Sequence, residues 1–271
     1  MTLPAPSLCQ ALSSAQIIRL WEVGQPQHPI DRALSCLTVA LPSVPPKTLR
    51  QLSIGQRDAY LLRLRERTFG AQMASLASCP HCQEQIEFEL STTDLQVAPL
   101  ADLSQPYSPA IYATKTEHES LRFRLPNSED LATVATLPDA DTARRQLAQR
   151  CLIQPEKPAP EETQNQGQGA ASSFGLAAAE EISEWAIAHL SEQISQADPQ
   201  AEILLNLDCP ACGHQWQILF DIVSFFWREL TAQAHRLMRD VHRLARFYGW
   251  READILSMSH TRRQYYLELV S

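Results

Sequence analysis

The chain has 271 residues, 44% of them hydrophobic, and a formal net charge of −8. That is enough for one large or two modest globular domains. No apolar run reaches transmembrane length, and residues 1–11 lack the basic start and apolar core of a signal peptide. Charge is uneven: residues 1–82 carry 8 basic and 4 acidic groups, 83–208 carry 7 and 21, and 221–271 carry 8 and 6. An acidic middle between mildly basic ends argues against a nucleic-acid binder, which concentrates positive charge on one face.

In chain order, residues 10–24 read as a helix with Leu12, Ile17, Ile18, Leu20 and Trp21 on one side and Ser13 or Ser14 as its cap. A second apolar helix covers 30–41, then Pro42, Pro45 and Pro46 break the chain before a short helical turn at 47–52. Ser53 opens a stronger helix to Phe69, stopped by Gly70. Tyr60, Leu61, Leu62 and Leu64 form its apolar side. Arg57, Arg63, Arg65 and Arg67 read as a solvated face, with Asp58 and Glu66 as ion-pair partners. Residues 71–78 are a short helix or strand, 83–90 a strand, and 91–110 a loop. Residues 111–114 and 121–125 alternate as a hairpin, Asn127 or Ser128 starts a helix through Leu137, and Asp139 or Asp141 starts another to about Ile153.

Residues 154–175 hold Pro155, Pro158, Pro160 and a Gln/Gly run with almost nothing to bury, the composition of a flexible linker. A helix from Leu176 to Ile194 follows, with Ile182, Trp185, Ile187, Leu190 and Ile194 on its apolar side. Strands at 201–207 and 214–220 flank residues 209–212. Asp221 caps a long helix over 222–248 that ends at Gly249. Two short amphipathic helices, 251–258 and one capped by Ser259, fold back on it.

Two short motifs stand out. Cys79-Pro80-His81-Cys82 and Cys209-Pro210-Ala211-Cys212 are C-x-x-C turns, each followed by an alternating apolar run. Together they supply four thiolates, the full tetrahedral set of a structural zinc site. The halves are separated by the 126 residues 83–208. Gly213 suits a turn needing positive φ, where the first motif has Gln83. The same sulfurs suit iron, and His81 or His214 offer replacement ligands, though they read better as exposed neighbours. Independent redox motifs would need a helix after a βαβ-type strand, and neither site has one.

The remaining Cys9, Cys36 and Cys151 read as buried, reduced thiols, which places the chain in the cytoplasm. G-x-S-x-G, P-loop, H-E-x-x-H and G-x-G-x-x-G motifs are absent. A closed four-sulfur shell leaves no open metal position for catalysis, so a non-enzyme is expected. The fold class is α+β, mostly helical. A split four-cysteine ribbon (79–90 and 201–220) lies between an N-terminal helical region (1–78) and a C-terminal one (221–271). The insert comprises an α+β region (91–153), the linker and a helix (176–200).

Three blocks carry a resemblance. They are Ile54-Gly55-Gln56-Arg57-Asp58-Ala59-Tyr60 running on to Phe69-Gly70, the first cysteine motif with Ile86-Glu87-Phe88, and the second motif running through Trp227 to Tyr248-Gly249-Trp250 and Tyr265-Tyr266-Leu267. Together these resemble baseplate or hub-assembly proteins of T4-type contractile tails, in the zinc-ribbon version found with phage-tail-like contractile injection systems. The terminal block is also similar to segments of tail-assembly chaperones. The resemblance implies a non-enzymatic role among baseplate, hub and tube proteins, whether in the finished particle or in its assembly. It implies that arginine-bearing helices meet those partners, through Arg57, Arg63, Arg67, Arg239, Arg243 and Arg246. No nucleic acid is expected as partner. The competing class is a nucleic-acid-binding zinc ribbon, for which Trp216 and Phe88 are available but Glu84, Glu87 and Glu89 are adverse.

Overall fold

The computed structural model describes residues 9–105, 107–115, 120–153 and 182–270. The linker expected at 154–175 lies outside them, as does the start of the helix expected from Leu176.

The N-terminal part is a helical layer. Helix α1 (Ser14–Gly24) is capped by Ser13, whose hydroxyl accepts the Gln16 N–H while Gln16 bonds back to Ser13. Helix α2 (Pro29–Ala40) starts on proline, where the missing N–H costs nothing, and α3 (Pro46–Gln51) does the same. Helix α4 (Ile54–Phe69) is capped by Ser53 and stopped by Gly70 at φ 93°. The main core joins these helices to a long C-terminal helix through Leu37, Leu41, Leu49, Leu61, Leu64 and Phe226.

Helix α4 departs from its expected solvated arginine face. Arg57 is 5% and Arg65 3% exposed. Arg57 pairs with Asp58, and Arg65 reaches Glu229 on another helix. Buried arginine is tolerated where its charge is paired, and each of the two has a carboxylate partner. Arg63 pairs with Glu66 as expected, and Arg67 is exposed.

After Gly70 the chain forms β1 (Gln72–Ser78) and β2 (Gln85–Ser91), an antiparallel hairpin, so 71–78 is strand rather than helix. A one-turn helix, α5 (Thr92–Leu95), lies within the expected loop, started by Ser91. Strands β3 (Ile111–Lys115) and β4 (Ser120–Arg124) pair as expected. Helix α6 (Ser128–Val134) is capped by Asn127 and stops three residues short of Leu137. Helix α7 (Ala140–Cys151) starts on Asp139.

Helix α8 (Glu184–Ala197) is capped by Ser183, so Ile182, expected within the helix, precedes it; α8 buries Ile187 and Leu190 against Phe123, Ala148 and Cys151, forming a second small core. Trp185, expected on that apolar side, is instead exposed and stacks on His189. Strands β5 (Ile203–Asp208) and β6 (Gln215–Phe220) form a hairpin like the first. Helix α9 (Ile222–Tyr248), capped by Asp221 and stopped by Gly249 at φ 69°, packs on α1, α2 and α4. Helices α10 (Glu252–Ser257) and α11 (His260–Leu269) fold back on its end around Leu244, Ile255 and Leu267.

Candidate metal centre

The two cysteine motifs occupy equivalent places. Each closes a hairpin with a six-residue connection, from Ser78 to Gln85 and from Asp208 to Gln215. In the first, the Cys79 N–H donates to the Glu84 carbonyl and the Gln83 N–H to the Cys79 carbonyl. In the second, Cys209 and Gly213 make the same two bonds, to the carbonyls of His214 and Cys209. Gln83 (φ 63°) and Gly213 (φ 70°) take the same left-handed conformation, and Gln83 is the one non-glycine to do so among the described residues. The turn geometry thus holds with or without glycine. Each hairpin also leads into a capped helix, through Ser91 and Asp221.

The hairpin tips meet. Cys79 Sγ lies 3.7 Å from Cys212 Sγ, and Cys82 Sγ lies 3.5 Å from Cys209 Sγ. All four sulfurs fall within 4.8 Å of one another. A tetrahedral ion with sulfur at about 2.3 Å places its ligands about 3.8 Å apart, so the cage has the right size for one ion. Cys79 and Cys209 are buried and Cys82 and Cys212 exposed, one of each per hairpin. His81 and His214 are exposed and stack at 5.6 Å outside the sulfur cluster, and His214 continues onto Trp216. They are neighbours, as read from the sequence.

The thiols do not share charge evenly. Burial opposes ionisation of Cys79, but the backbone N–H groups of Cys82 and His81 and the adjacent thiols outweigh it and bring its pKa down to about 7. Cys82 accepts the Glu84 N–H, yet desolvation of its sulfur among the thiols of Cys212, Cys209 and Cys79, and those thiols themselves, push it up to about 12. Four thiolates this close repel one another, and a bound divalent cation removes that repulsion. By contrast Cys9, Cys36 and Cys151 lie buried outside the site, with pKa values raised by burial to about 11, 12 and 12.

The other end of the ribbon is held by helices. Helix α4 runs into β1, and β6 runs into α9. At this junction Arg65 makes a two-pronged pair with Glu229 (2.9 and 2.7 Å) and donates to the Gly70 carbonyl at 2.6 Å. Phe69 and Phe226 meet edge to face beside it. Sequence reading missed this clamp, because no local signal links residues 164 apart. Further ties bring the insert home: Asp198 accepts the Gly55 N–H, and Gln200 bonds the Val97 N–H and the Leu95 carbonyl. Each doubling of a loop adds only about 0.6 kcal/mol to closure, so the long gap between the half-sites is no obstacle.

A family model described as T4 bacteriophage base plate protein matches residues 36–227. That span is more than two thirds of the chain and takes in both cysteine pairs, α4 with Arg65, and the start of α9 up to Trp227, two residues short of Glu229. The chain belongs to the T4 baseplate protein family. No curated protein and no solved structure matches it. The baseplate-family match stops at Trp227, so the Tyr248-Gly249-Trp250 and Tyr265-Tyr266 blocks of the resemblance lie beyond it. Among the described residues of this baseplate protein, no helix is long and apolar enough to cross a membrane.

The six arginines read as partner contacts fall into two groups. Arg239, Arg243 and Arg246 are exposed along α9. On α4, Arg57 is buried, Arg63 is partly exposed in its pair with Glu66, and Arg67 is exposed.

Proposed function

We propose that this protein is a non-enzymatic component or assembly factor of the baseplate hub of a phage-tail-like contractile injection system. One structural zinc, held by Cys79, Cys82, Cys209 and Cys212, joins the two parts of its fold. The observation that carries the metal reading is the meeting of four sulfurs from two hairpins with matching turns. Zinc suits a site with four sulfurs and no open position, and iron fits the same cage. The role among tail proteins rests on family membership.

Within this reading the exposed arginines of α9 meet partner proteins, since arginine with aromatic neighbours is the composition of interface hot spots. Arg57, with its guanidinium inside the fold, serves α4 instead. A nucleic-acid role is disfavoured by the ribbon itself. Its hairpins hold no lysine or arginine and expose Glu84, Glu87 and Glu89, the wrong sign for phosphate.

The test is native purification of the tagged chain from its source cell, with mass spectrometry of what is retained. Tube, hub or spike proteins are the expected companions. Presence of this chain in finished particles marks a subunit, and its absence there marks an assembly factor. Recovery of polymerase subunits or nucleic acid without tail proteins contradicts the proposal.

A further inference from the structure

Helix α9 carries Arg228, Arg236, Arg239, Arg243 and Arg246 on its exposed side. Its two carboxylates are already engaged by arginines from other elements, Glu229 by Arg65 and Asp240 by Arg263. Arginines therefore outnumber carboxylates on this helix five to two. Helices α10 and α11 add Arg251 and Arg262 as well as Glu252, Asp254 and Glu268 at its far end. There the stripe runs into exposed aromatic surface. Phe247 is 65% exposed and contacts Tyr248, which with Trp250 and Tyr266 forms a ring cluster carrying the exposed Tyr265 and the Arg262 guanidinium.

The ribbon is the counterpart. Residues 72–91 hold Glu84, Glu87 and Glu89, all exposed, and residues 203–220 add exposed Asp208, with no lysine or arginine in either. Its outer faces also bear large apolar side chains. Leu76, 58% exposed, lies across from Glu87, and Leu219, 60% exposed, lies across from the exposed Leu204. Exposed leucines on an acidic sheet and exposed aromatics on a basic helix complement each other in charge and in the apolar area each leaves uncovered.

The two surfaces cannot satisfy each other within one chain. Helix α9 begins directly after β6, and its 27 residues carry its far end about 40 Å away. We propose that copies of this chain associate head to tail, the arginine and aromatic end of α9 in one copy seating on the acidic, leucine-bearing face of the ribbon in the next. The inference rests on the reading that the α9 arginines meet a partner, and it names that partner as a second copy. Such a contact is heterologous and builds a ring or an open stack rather than a closed two-fold dimer.

The test is sedimentation velocity of the purified full chain at 50 and 500 mM salt. Two charge-reversed variants accompany it, R239E/R243E/R246E and E84K/E87K/E89K, each checked for native circular dichroism. The wild type is expected to associate at low salt and weaken about tenfold at high salt. Each variant alone is expected to weaken by about 100-fold or more. Mixed together they are expected to re-form complexes, because the arginine variant keeps the acidic ribbon and the glutamate variant keeps the basic helix. If one variant fails to fold, F247S replaces it and is expected to weaken association tenfold or more. A wild type that stays monomeric at about 100 μM, binding of the stripe to a DNA oligonucleotide by a chain that remains monomeric, or association indifferent to the reversals overturns the inference. If the wild type is monomeric and the arginine variant is nevertheless lost from tail-protein complexes, the partner reading stands and self-association falls.

Discussion

Arg65 and Glu229, 164 residues apart, are joined by two parallel hydrogen bonds of 2.9 and 2.7 Å, with the Arg65 guanidinium also held by the Gly70 carbonyl. The pair fastens α4 to α9 where both meet the ribbon. Planar, two-pronged geometry is what lysine cannot reproduce. Arg65→Lys is therefore expected to lower unfolding stability by about 1–2 kcal/mol. Arg65→Ala, which strands Glu229 and the carbonyl, is expected to cost about 3 kcal/mol. Urea titration followed by tryptophan fluorescence measures both, and an Arg65→Ala loss below half a kilocalorie contradicts the clamp.

Gly55 shows a different constraint. A Cβ there would lie 1.9 Å from Asp198 Oδ1 and 3.0 Å from the Ala201 nitrogen. Asp198 reaches this close because its carboxylate accepts the Gly55 N–H at 2.9 Å, at the start of α4. Gly55→Ala is expected to destabilise by about 2–3 kcal/mol although alanine is the better helix former. A neutral or stabilising Gly55→Ala in thermal unfolding rules out this close approach.

The first turn holds Gln83 at φ 63° where the second holds Gly213. A side chain in that conformation carries about 1–2 kcal/mol of strain, partly offset by the extra freedom glycine loses on folding. Gln83→Gly is expected to raise stability by about 0.5–1 kcal/mol, and Gly213→Ala to lower it by a similar amount. Thermal unfolding of the metal-loaded protein reads both signs.

These cases mark what the sequence made legible. Caps and stops are local, so Ser13, Ser53, Asn127, Asp139, Asp221, Gly70 and Gly249 announced their helices. The cysteine spacing announced the knuckles, and their matching strand patterns paired them across the insert. Arginine burial was not legible. Arg57 and Arg65 follow the spacing of a solvated face, and only Glu229, brought in by the fold, makes a buried Arg65 tolerable. Trp185 misled for the reverse reason: it continues an apolar stripe, but β4 and α7 cover only the Ile187 and Leu190 side of α8.

In the insert, Asp130 is fully buried and held by Arg124, Arg150 and the Asn127 N–H. Burial raises its pKa, but Arg124, the Asn127 N–H and Arg150 together outweigh it and hold the carboxyl below its ordinary range. Unfolded, it titrates near about 3.9. The stabilisation is therefore complete above that value and lost as pH falls from there through the lower folded pKa. Asp130→Asn is expected to cost about 3 kcal/mol at neutral pH, with the gap to wild type closing below about pH 4. Asp58 and Asp198, whose pKa values burial raises, add the opposite slope to both proteins, so the difference isolates Asp130. A gap that does not narrow as pH falls below about 4 contradicts the assignment.

The central claim is that one ion joins residues 79–82 to residues 209–212. Native mass spectrometry of the purified chain, wild type and Cys209→Ser, tests it most directly. One zinc or iron per wild-type chain is expected, with the metal lost or bound far more weakly after substitution at this single position. Two ions per chain, or a Cys209→Ser protein that holds its metal as tightly as wild type, would show that the hairpins bind separately and that no shared centre exists.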